Sequence, residues 1–138
     1  MSLTEQDRNH PEVVAEIREL FHRYEAALMR NDIAALNGFF WDDPAVTRYG
    51  VCDKQLGHAD LAAYRAQVPR PDFTRRLHSV RITTFGADVA VAMCEFLRSD
   101  TSLHGFQTQT WVRFPVGWRI VSAHVSMVAW PSEEPSVA

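Results

Sequence analysis

The stretch GFQTQTWVRFPVGWRIVSAHVSMV, from Gly105 to Val128, decides the fold because it predicts two long antiparallel strands joined by one turn. Pro115 suits the first corner of a type I turn, and Gly117 suits the position that closes it. The side chains on either side of this turn alternate as expected for strands. On the return strand, one face carries Val121, Ala123, Val125 and Met127, and the other carries Trp118, Ile120, Ser122, His124 and Ser126.

The second of these faces predicts a polar patch in the middle of the sheet. If the two strands pair regularly, His124 faces Gln107, and Gln109 follows two residues along. A one-residue bulge would instead place Thr108 opposite His124. Buried polar groups without partners cost about 1–3 kcal/mol each. We therefore expect the patch to line a wet pocket or to form a hydrogen-bonded network.

The rest of the chain predicts three helices followed by further long strands. This order is typical of an α+β fold, in which N-terminal helices pack on one face of a curved, mainly antiparallel sheet. Neither side of the return strand is polar throughout, so the outer face is expected to meet a second copy in a two-fold homodimer. The expected helices are 11–30, 33–40 and 58–67, the expected strands 45–50, 74–85 and 88–98, the single domain 9–129, and the flexible ends 1–8 and 130–138.

Length and charge exclude several classes of protein. The 138 residues suit one domain, and the net charge of −3 gives no reason to expect nucleic acid or an anionic membrane as a partner. The longest apolar run, 89–94, is much shorter than the roughly 18 residues that suggest a membrane span. The N-terminus lacks the apolar stretch of a signal peptide, so a soluble cytoplasmic protein with free Cys52 and Cys94 thiols is expected.

Three side chains stand out on otherwise apolar patterns. Tyr24 lies on the inward stripe of the first helix, where it either packs structurally or aims its hydroxyl into a cavity. Arg48 lies in mid-strand, where it reaches the sheet edge, pairs with an internal carboxylate or binds a ligand. Glu95 is an acid with a raised pKa, a partner for Arg48, or a residue near a strand end. Arginines also cluster around Arg65, either as a solvated edge or as an anion-attracting pocket mouth.

Several separated blocks of the sequence agree in order and spacing with one known family. They are NHPEVVAEIRELFHRYEAALMRNDIAALNGFFWDDPAVTRYG at 9–50, ITTFG at 82–86, TQTWVR at 108–113, GWR at 117–119 and AHVS at 123–126. Over residues 9–127 the chain resembles the AtzH-like family, which includes the oxalurate-catabolism proteins called HpxZ. The resemblance implies the cone-shaped fold of the SnoaL-like and nuclear-transport-factor-like superfamily, with a pocket between the helices and the concave sheet.

The resemblance also implies an activity and its residues. The best-understood members hydrolyse dicarboxyurea to allophanate with loss of carbon dioxide, and the family's catalytic tyrosine and arginine correspond to Tyr24 and Arg48. Three positions depart from the family pattern: Val68 and Phe106 replace frequent arginines, and Leu56 replaces a frequent tyrosine. The loss of these two arginines indicates that a second carboxylate of the substrate is not bound in the way usual for the family.

The first functional hypothesis is a small metal-independent amidohydrolase acting on a carboxylated urea or ureido acid. Arg48 would clamp a carboxylate, and Tyr24 would transfer a proton. The alternative is a non-catalytic protein that binds small acids or assists an amidase in ureide catabolism. No cofactor is expected, and no metal, because the histidines lack the spacing of a zinc motif. The expected substrate-binding residues are Tyr49, Arg65, Gln107, Gln109, Trp111 and His124.

Overall fold

Three α-helices pack on a six-stranded sheet in the computed structural model, which describes residues 2–131. The sheet order is β2-β1-β6-β5-β4-β3, and every neighbouring pair is antiparallel except β1 and β6. The predicted α+β fold is confirmed, whereas β2 and the parallel pairing were not predicted. The elements are α1 (Pro11–Arg30), α2 (Ile33–Phe39), β1 (Thr47–Tyr49), β2 (Lys54–Leu56), α3 (His58–Gln67), β3 (Arg75–Phe85), β4 (Val89–Arg98), β5 (His104–Phe114) and β6 (Gly117–Val128).

The boundary between α1 and α2 follows from two adjacent residues. Asn31 adopts a left-handed conformation, with φ at 53°, and ends α1. Asp32 then begins α2, because its side chain accepts a hydrogen bond from the backbone N–H of Ala35 at 3.1 Å. The two helices therefore turn back on each other. The buried stripe of α1 packs on the sheet through Val13, Ile17, Phe21, Tyr24 and Ala27.

A bulge in β6 changes which side chains face the helices. Thr110 pairs with Ser122, but Trp111 pairs with Ile120, so Val121 is the extra residue. Trp118 and Ile120 are consequently buried under the helices, whereas Ser122 and His124 are exposed on the opposite face. The regular register was wrong, and the bulged register, with Thr108 opposite His124, is the one observed.

The N-terminal segment 1–8, which was expected to be flexible, contains regular structure. Glu5–Asp7 forms a turn of 3-10 helix, and Arg8 bridges to Phe85 at the end of β3. Of the tail expected at 130–138, residues 132–138 lie outside the described part of the chain. Among residues 2–131, no helix is both long and apolar enough to cross a membrane.

Candidate active site

A cavity of about 280 Å³ lies between the end of α1, helix α3, the loop that follows α3, and the inner face of the sheet. Leu28 contributes from α1, Phe96 from β4, and Val125 and Met127 from β6. Its charged lining is predominantly cationic, which favours an anionic ligand. The charged residues are Arg48, Arg65, Arg70 and Arg98, against Asp53 and Asp72.

Larger grooves exist elsewhere, but their chemistry is less specific. A groove of about 580 Å³ lies beside α1, and its charged residues, such as Glu16 and Arg23, are exposed to solvent. The smaller cavity contains buried guanidinium groups, which are expensive to desolvate without an anionic partner. We therefore take the cavity as the candidate site.

Arg48 enters the cavity because β1 alternates: Thr47 and Tyr49 point to the outer face, and Arg48 is buried between them. Its Nη1 donates to Oδ1 of Asp53 at 2.7 Å and to Oε1 of Gln55 at 2.8 Å. Nη1 makes both of these hydrogen bonds. Nε and Nη2 of Arg48 make none within residues 2–131, so they are available to a ligand. Of the alternatives for Arg48, the structure shows pairing with an internal carboxylate, which is Asp53 and not Glu95.

Asp53 is held by three donors. Gln55 donates through Nε2 at 2.9 Å, and the Tyr64 hydroxyl donates at 3.2 Å. Burial by itself raises the pKa of Asp53, but the hydrogen bonds and the charge of Arg48 outweigh it and lower the pKa below its ordinary value. A Cβ on Gly50 would lie 2.3 Å from the Asp53 carboxylate, so Gly50 leaves the space that Asp53 needs. The Arg48–Asp53 pair is therefore ionised and positioned by the β1–β2 hairpin.

Arg65 is the most unusual residue in the cavity. It lies in the last turn of α3 and is only 3% exposed, yet its Nε and Nη2 have no hydrogen-bond partner in the described structure. The Tyr64 ring contacts both cations, with its centroid 5.1 Å from the Arg48 guanidinium and 5.6 Å from that of Arg65. Arg65 was predicted from sequence as a substrate-binding residue, and the structure places it beside Arg48 in the cavity lining.

A second polar network lies behind Phe96. Arg75 forms an ion pair with Glu25 at 3.0 Å, donates to Oε1 of Gln107 at 3.0 Å, and stacks on the Phe96 ring at 4.0 Å. Burial raises the pKa of Glu25, and Arg75 opposes this increase. Sequence reasoning missed Glu25, and it considered Arg75 only as a member of the arginine cluster around Arg65. The available signal was the spacing of Glu25, four residues after the buried Phe21 on α1.

Tyr24 lies outside the cavity lining. Its ring makes edge-to-face contacts with Phe39 and Phe40 at centroid distances of 5.6 and 6.2 Å. Tyr24 is 4% exposed, and its hydroxyl makes no hydrogen bond within the described residues, although the oxygen is not fully enclosed. Leu28, one turn later on the same face of α1, does line the cavity. The hydroxyl of Tyr24 is thus a free hydrogen-bonding group close to this face.

Gln107, also predicted as a substrate-binding residue, accepts a hydrogen bond from Arg75 and lies outside the cavity lining, and the remaining predicted site residues divide into two groups. Gln109 and Trp111 are fully buried and bonded to each other at 3.1 Å, so they belong to the core. Tyr49 and His124 stack edge to face at 6.0 Å on the outer side of the sheet. Contrary to expectation, both residues lie outside the cavity, because the bulge at Val121 turns His124 away from the helices and the alternation of β1 turns Tyr49 outward.

The two positions at which a frequent family arginine is replaced lie in different places. Val68 lines the cavity, so an arginine there would add a further cation. Phe106 lies on the outer face, opposite Glu95 and Ser126. Glu95 itself bonds to His104 at 2.7 Å on that face. Only the change at Val68 therefore alters the lining of the cavity.

Comparison with known proteins places this architecture in a family. The family model described as AtzH-like matches residues 6–131. A protein of unknown function of the DUF3225 family from Pectobacterium atrosepticum is 41% identical, with a TM-score of 0.90, over 93% of this chain and 100% of that one. A cystatin-like fold protein from Burkholderia xenovorans is 43% identical, with a TM-score of 0.86, over 90% and 98% of the two chains.

More distant structures share the fold alone. An NTF2-like superfamily protein from Salmonella enterica is 22% identical, with a TM-score of 0.72, over 91% of this chain and 97% of that one. No curated protein matches the chain. The family match covers nearly all of the described residues, including both elements that carry Arg48 and Arg65. The chain therefore belongs to the AtzH-like family.

Proposed function

We propose that the protein is an amidohydrolase that acts on a small carboxylated urea or ureido acid bound in the arginine-lined cavity. The observation that carries this proposal is the buried Arg65, whose Nε and Nη2 have no hydrogen-bond partner among residues 2–131. It lines the same cavity as Arg48, whose guanidinium bonds within the protein through Nη1. A guanidinium binds a carboxylate through two parallel hydrogen bonds. Two such groups in a cavity of about 280 Å³ suit a small acid with more than one acceptor group.

In the proposed reaction, water adds to the carbonyl carbon of the scissile C–N bond. Arg48 donates hydrogen bonds to the oxygen on which negative charge develops, as donors do in an oxyanion site. The C–N bond then breaks, and the nitrogen takes a proton as it leaves. Tyr24 lies outside the cavity lining but one helical turn before the cavity residue Leu28, and by its correspondence with the family's tyrosine it is proposed to transfer this proton, while Arg65 holds the carboxylate. When the carbon attacked by water is a carboxyl group bonded to nitrogen, it leaves as bicarbonate, which then equilibrates with carbon dioxide.

The test is turnover by the purified protein with dicarboxyurea, oxalurate and other ureido acids, followed by release of carbon dioxide and ammonia. Arg48→Lys keeps the charge but loses the fork, so the rate should fall on the order of a hundredfold or more, almost as far as in Arg48→Met. Arg113→Lys is the matched control, because Arg113 is exposed and pairs with Asp88 at the surface. Full turnover in Arg48→Lys would reject the proposed site.

Val68 favours a second candidate function, the binding of a small acid without hydrolysis. The cavity has an apolar side chain where the family often has an arginine, so it holds one cation fewer. A protein of this kind would bind a ureido acid in calorimetry, would lose affinity in Arg48→Lys, and would release neither carbon dioxide nor ammonia. Measured turnover would exclude it.

A further inference from the structure

Two histidines and a glutamate from three neighbouring strands meet on the outer face of the sheet. His78 in β3 lies directly opposite Glu95 in β4, and His104 in β5 lies diagonally across from Glu95. One ligand atom from each residue lies within 4.8 Å of the other two. His104 Nε2 is 2.7 Å from Glu95 Oε1, and the His78 and His104 rings meet edge to face at 5.4 Å. All three side chains are half-buried.

We propose that His78, Glu95 and His104 form a binding site for one divalent transition-metal ion, with Zn²⁺ as its natural probe. Two imidazoles and one carboxylate are a common zinc ligand set, in which a further coordination position stays open. Tetrahedral ligands about 2.1 Å from zinc lie roughly 3.4 Å from one another. Because the three donor atoms already lie within 4.8 Å of each other, small side-chain rotations bring them to this spacing.

The backbone at His78 supports the assignment. The β3–β4 register shifts between His78 and Arg81, and Ser79 within this bulge has a left-handed φ of 54°, which is costly for a serine. Bulges of this kind re-aim side chains, and here the bulge leaves His78 facing Glu95. The Oγ of Ser79 lies 3.2 Å from Nδ1 of His78. An oxygen on one ring nitrogen is the usual partner of a metal-binding histidine, because it orients the other nitrogen toward the metal.

The surroundings of the three side chains also favour metal binding, because they are partly apolar. The His104 ring packs on Phe106 at 5.0 Å and lies 6.2 Å from the Trp130 ring, so one side of the cluster is apolar. An apolar surround strengthens the interaction between a cation and its carboxylate ligand. The site is independent of the arginine cavity, because Glu95 and the cavity residue Phe96 are consecutive in β4 and point to opposite faces.

The experiment titrates the full chain, stripped of metal with a chelator and dialysed, with zinc chloride in a calorimeter. We expect one ion per chain, and X-ray absorption of the complex should show two imidazoles and a carboxylate oxygen at about 2.0–2.2 Å. His78→Gln and His104→Gln should each lower the affinity about a hundredfold or more. His10→Gln is the matched control, since the His10 ring lies outside the cluster and its side-chain partners are the Gln6 carbonyl and Glu12. Its affinity should equal that of the unchanged protein.

Ser79→Gly separates a positioning role from a general loss of structure. Glycine accepts the left-handed φ, so the fold should be at least as stable, while loss of the hydroxyl should lower zinc affinity about tenfold. Circular dichroism on every variant checks that it folds. The proposal is overturned if the unchanged protein takes up no stoichiometric zinc, or if the two histidine variants bind zinc as it does. In either case, His104 and Glu95 form a hydrogen-bonded pair only.

Discussion

Two arginines share the cavity, and their surroundings differ. Arg48 has a carboxylate and an amide oxygen as partners, so its charge is balanced within the protein. Arg65 is more deeply buried, and two of its donor atoms have no hydrogen-bond partner in the part of the chain that the structure describes. Removing Arg65 loses its contact with the Tyr64 ring but breaks no ion pair, whereas removing one member of an ion pair leaves the other unsatisfied. Substitution of Arg65 should therefore weaken substrate binding without lowering stability. Substitution of Arg48 should lower both.

Arg65→Met tests this difference, since methionine keeps much of the length of the side chain. We expect the free energy of unfolding in urea to stay constant or rise by about 1 kcal/mol, because an unpaired buried charge is lost. Substrate binding should nevertheless fall at least tenfold. Arg48→Met is the comparison, and it should lose about 1–3 kcal/mol of stability, because Asp53 and Gln55 lose their donor. A strong loss of stability in Arg65→Met would show a structural role.

Two tyrosines near the site distinguish proton transfer from support. Tyr64 donates to Asp53 and so holds the partner of Arg48, whereas the Tyr24 hydroxyl is free of recorded partners in the described chain. Tyr24→Phe should lower turnover on the order of a hundredfold or more if this hydroxyl transfers the proton. Tyr64→Phe should cost about 0.5–1.5 kcal/mol of stability and affect turnover much less. If Tyr64→Phe lowered turnover more than Tyr24→Phe, proton transfer would be assigned to Tyr64.

At the scale of elements, the close approach of β4 and β5 shapes the cavity wall. Gly105 in β5 pairs with Phe96 in β4, and the Phe96 ring covers the glycine. The Arg75 guanidinium lies over the same ring, 4.0 Å from its centroid. Phe96 also lines the cavity, so the absence of a side chain at Gly105 fixes where the cavity wall lies.

Gly105→Ala should therefore alter both stability and ligand binding. Its Cβ would lie 2.3 Å from the Phe96 ring, which forces the ring to move and costs about 1–3 kcal/mol. Gly38→Ala is a matched control, because a Cβ there meets no atom within 4 Å and alanine favours the helix by roughly 0.5–1 kcal/mol. Urea unfolding and ligand titration measure both effects. Unchanged binding in Gly105→Ala would show that the position of Phe96 does not matter to the ligand.

At the scale of the whole molecule, the outer face of the sheet remains incompletely covered. Met93 in the interior strand β4 is 48% exposed, and Tyr49 in β1 is 49% exposed. Interior strands of a sheet seldom present such side chains to water unless another surface covers them. We propose that a second copy of the chain covers this face in a two-fold dimer.

The dimer is checked by light scattering at micromolar concentration, where the mass should be twice that of one chain. Met93→Arg places a charge on the outer face and should shift the protein toward the monomer. Val116→Arg makes the same kind of change at the β5–β6 turn, where Val116 is 73% exposed, and should leave the mass unchanged. A monomeric unchanged protein would contradict the proposal.

The sequence by itself determined the helices and the four long antiparallel strands, because their signals are local. The inward stripe of α1, the capping side chain of Asp32 and the turn around Gly117 each involve residues a few positions apart. The same local alternation placed Arg48 within a strand. The family resemblance, and not the predicted fold, identified Arg48 as a site residue.

Only the tertiary structure decided which side chains meet. One extra residue at Val121 is nearly invisible in the sequence, yet it turns His124 to the opposite face, because side chains alternate with a period of two. The pairing of Arg75 with Glu25 joins residues 50 positions apart by number, and the cluster at His78 joins three strands. Periodicity reports burial along one element, whereas the partner of a buried charge depends on how separate elements pack.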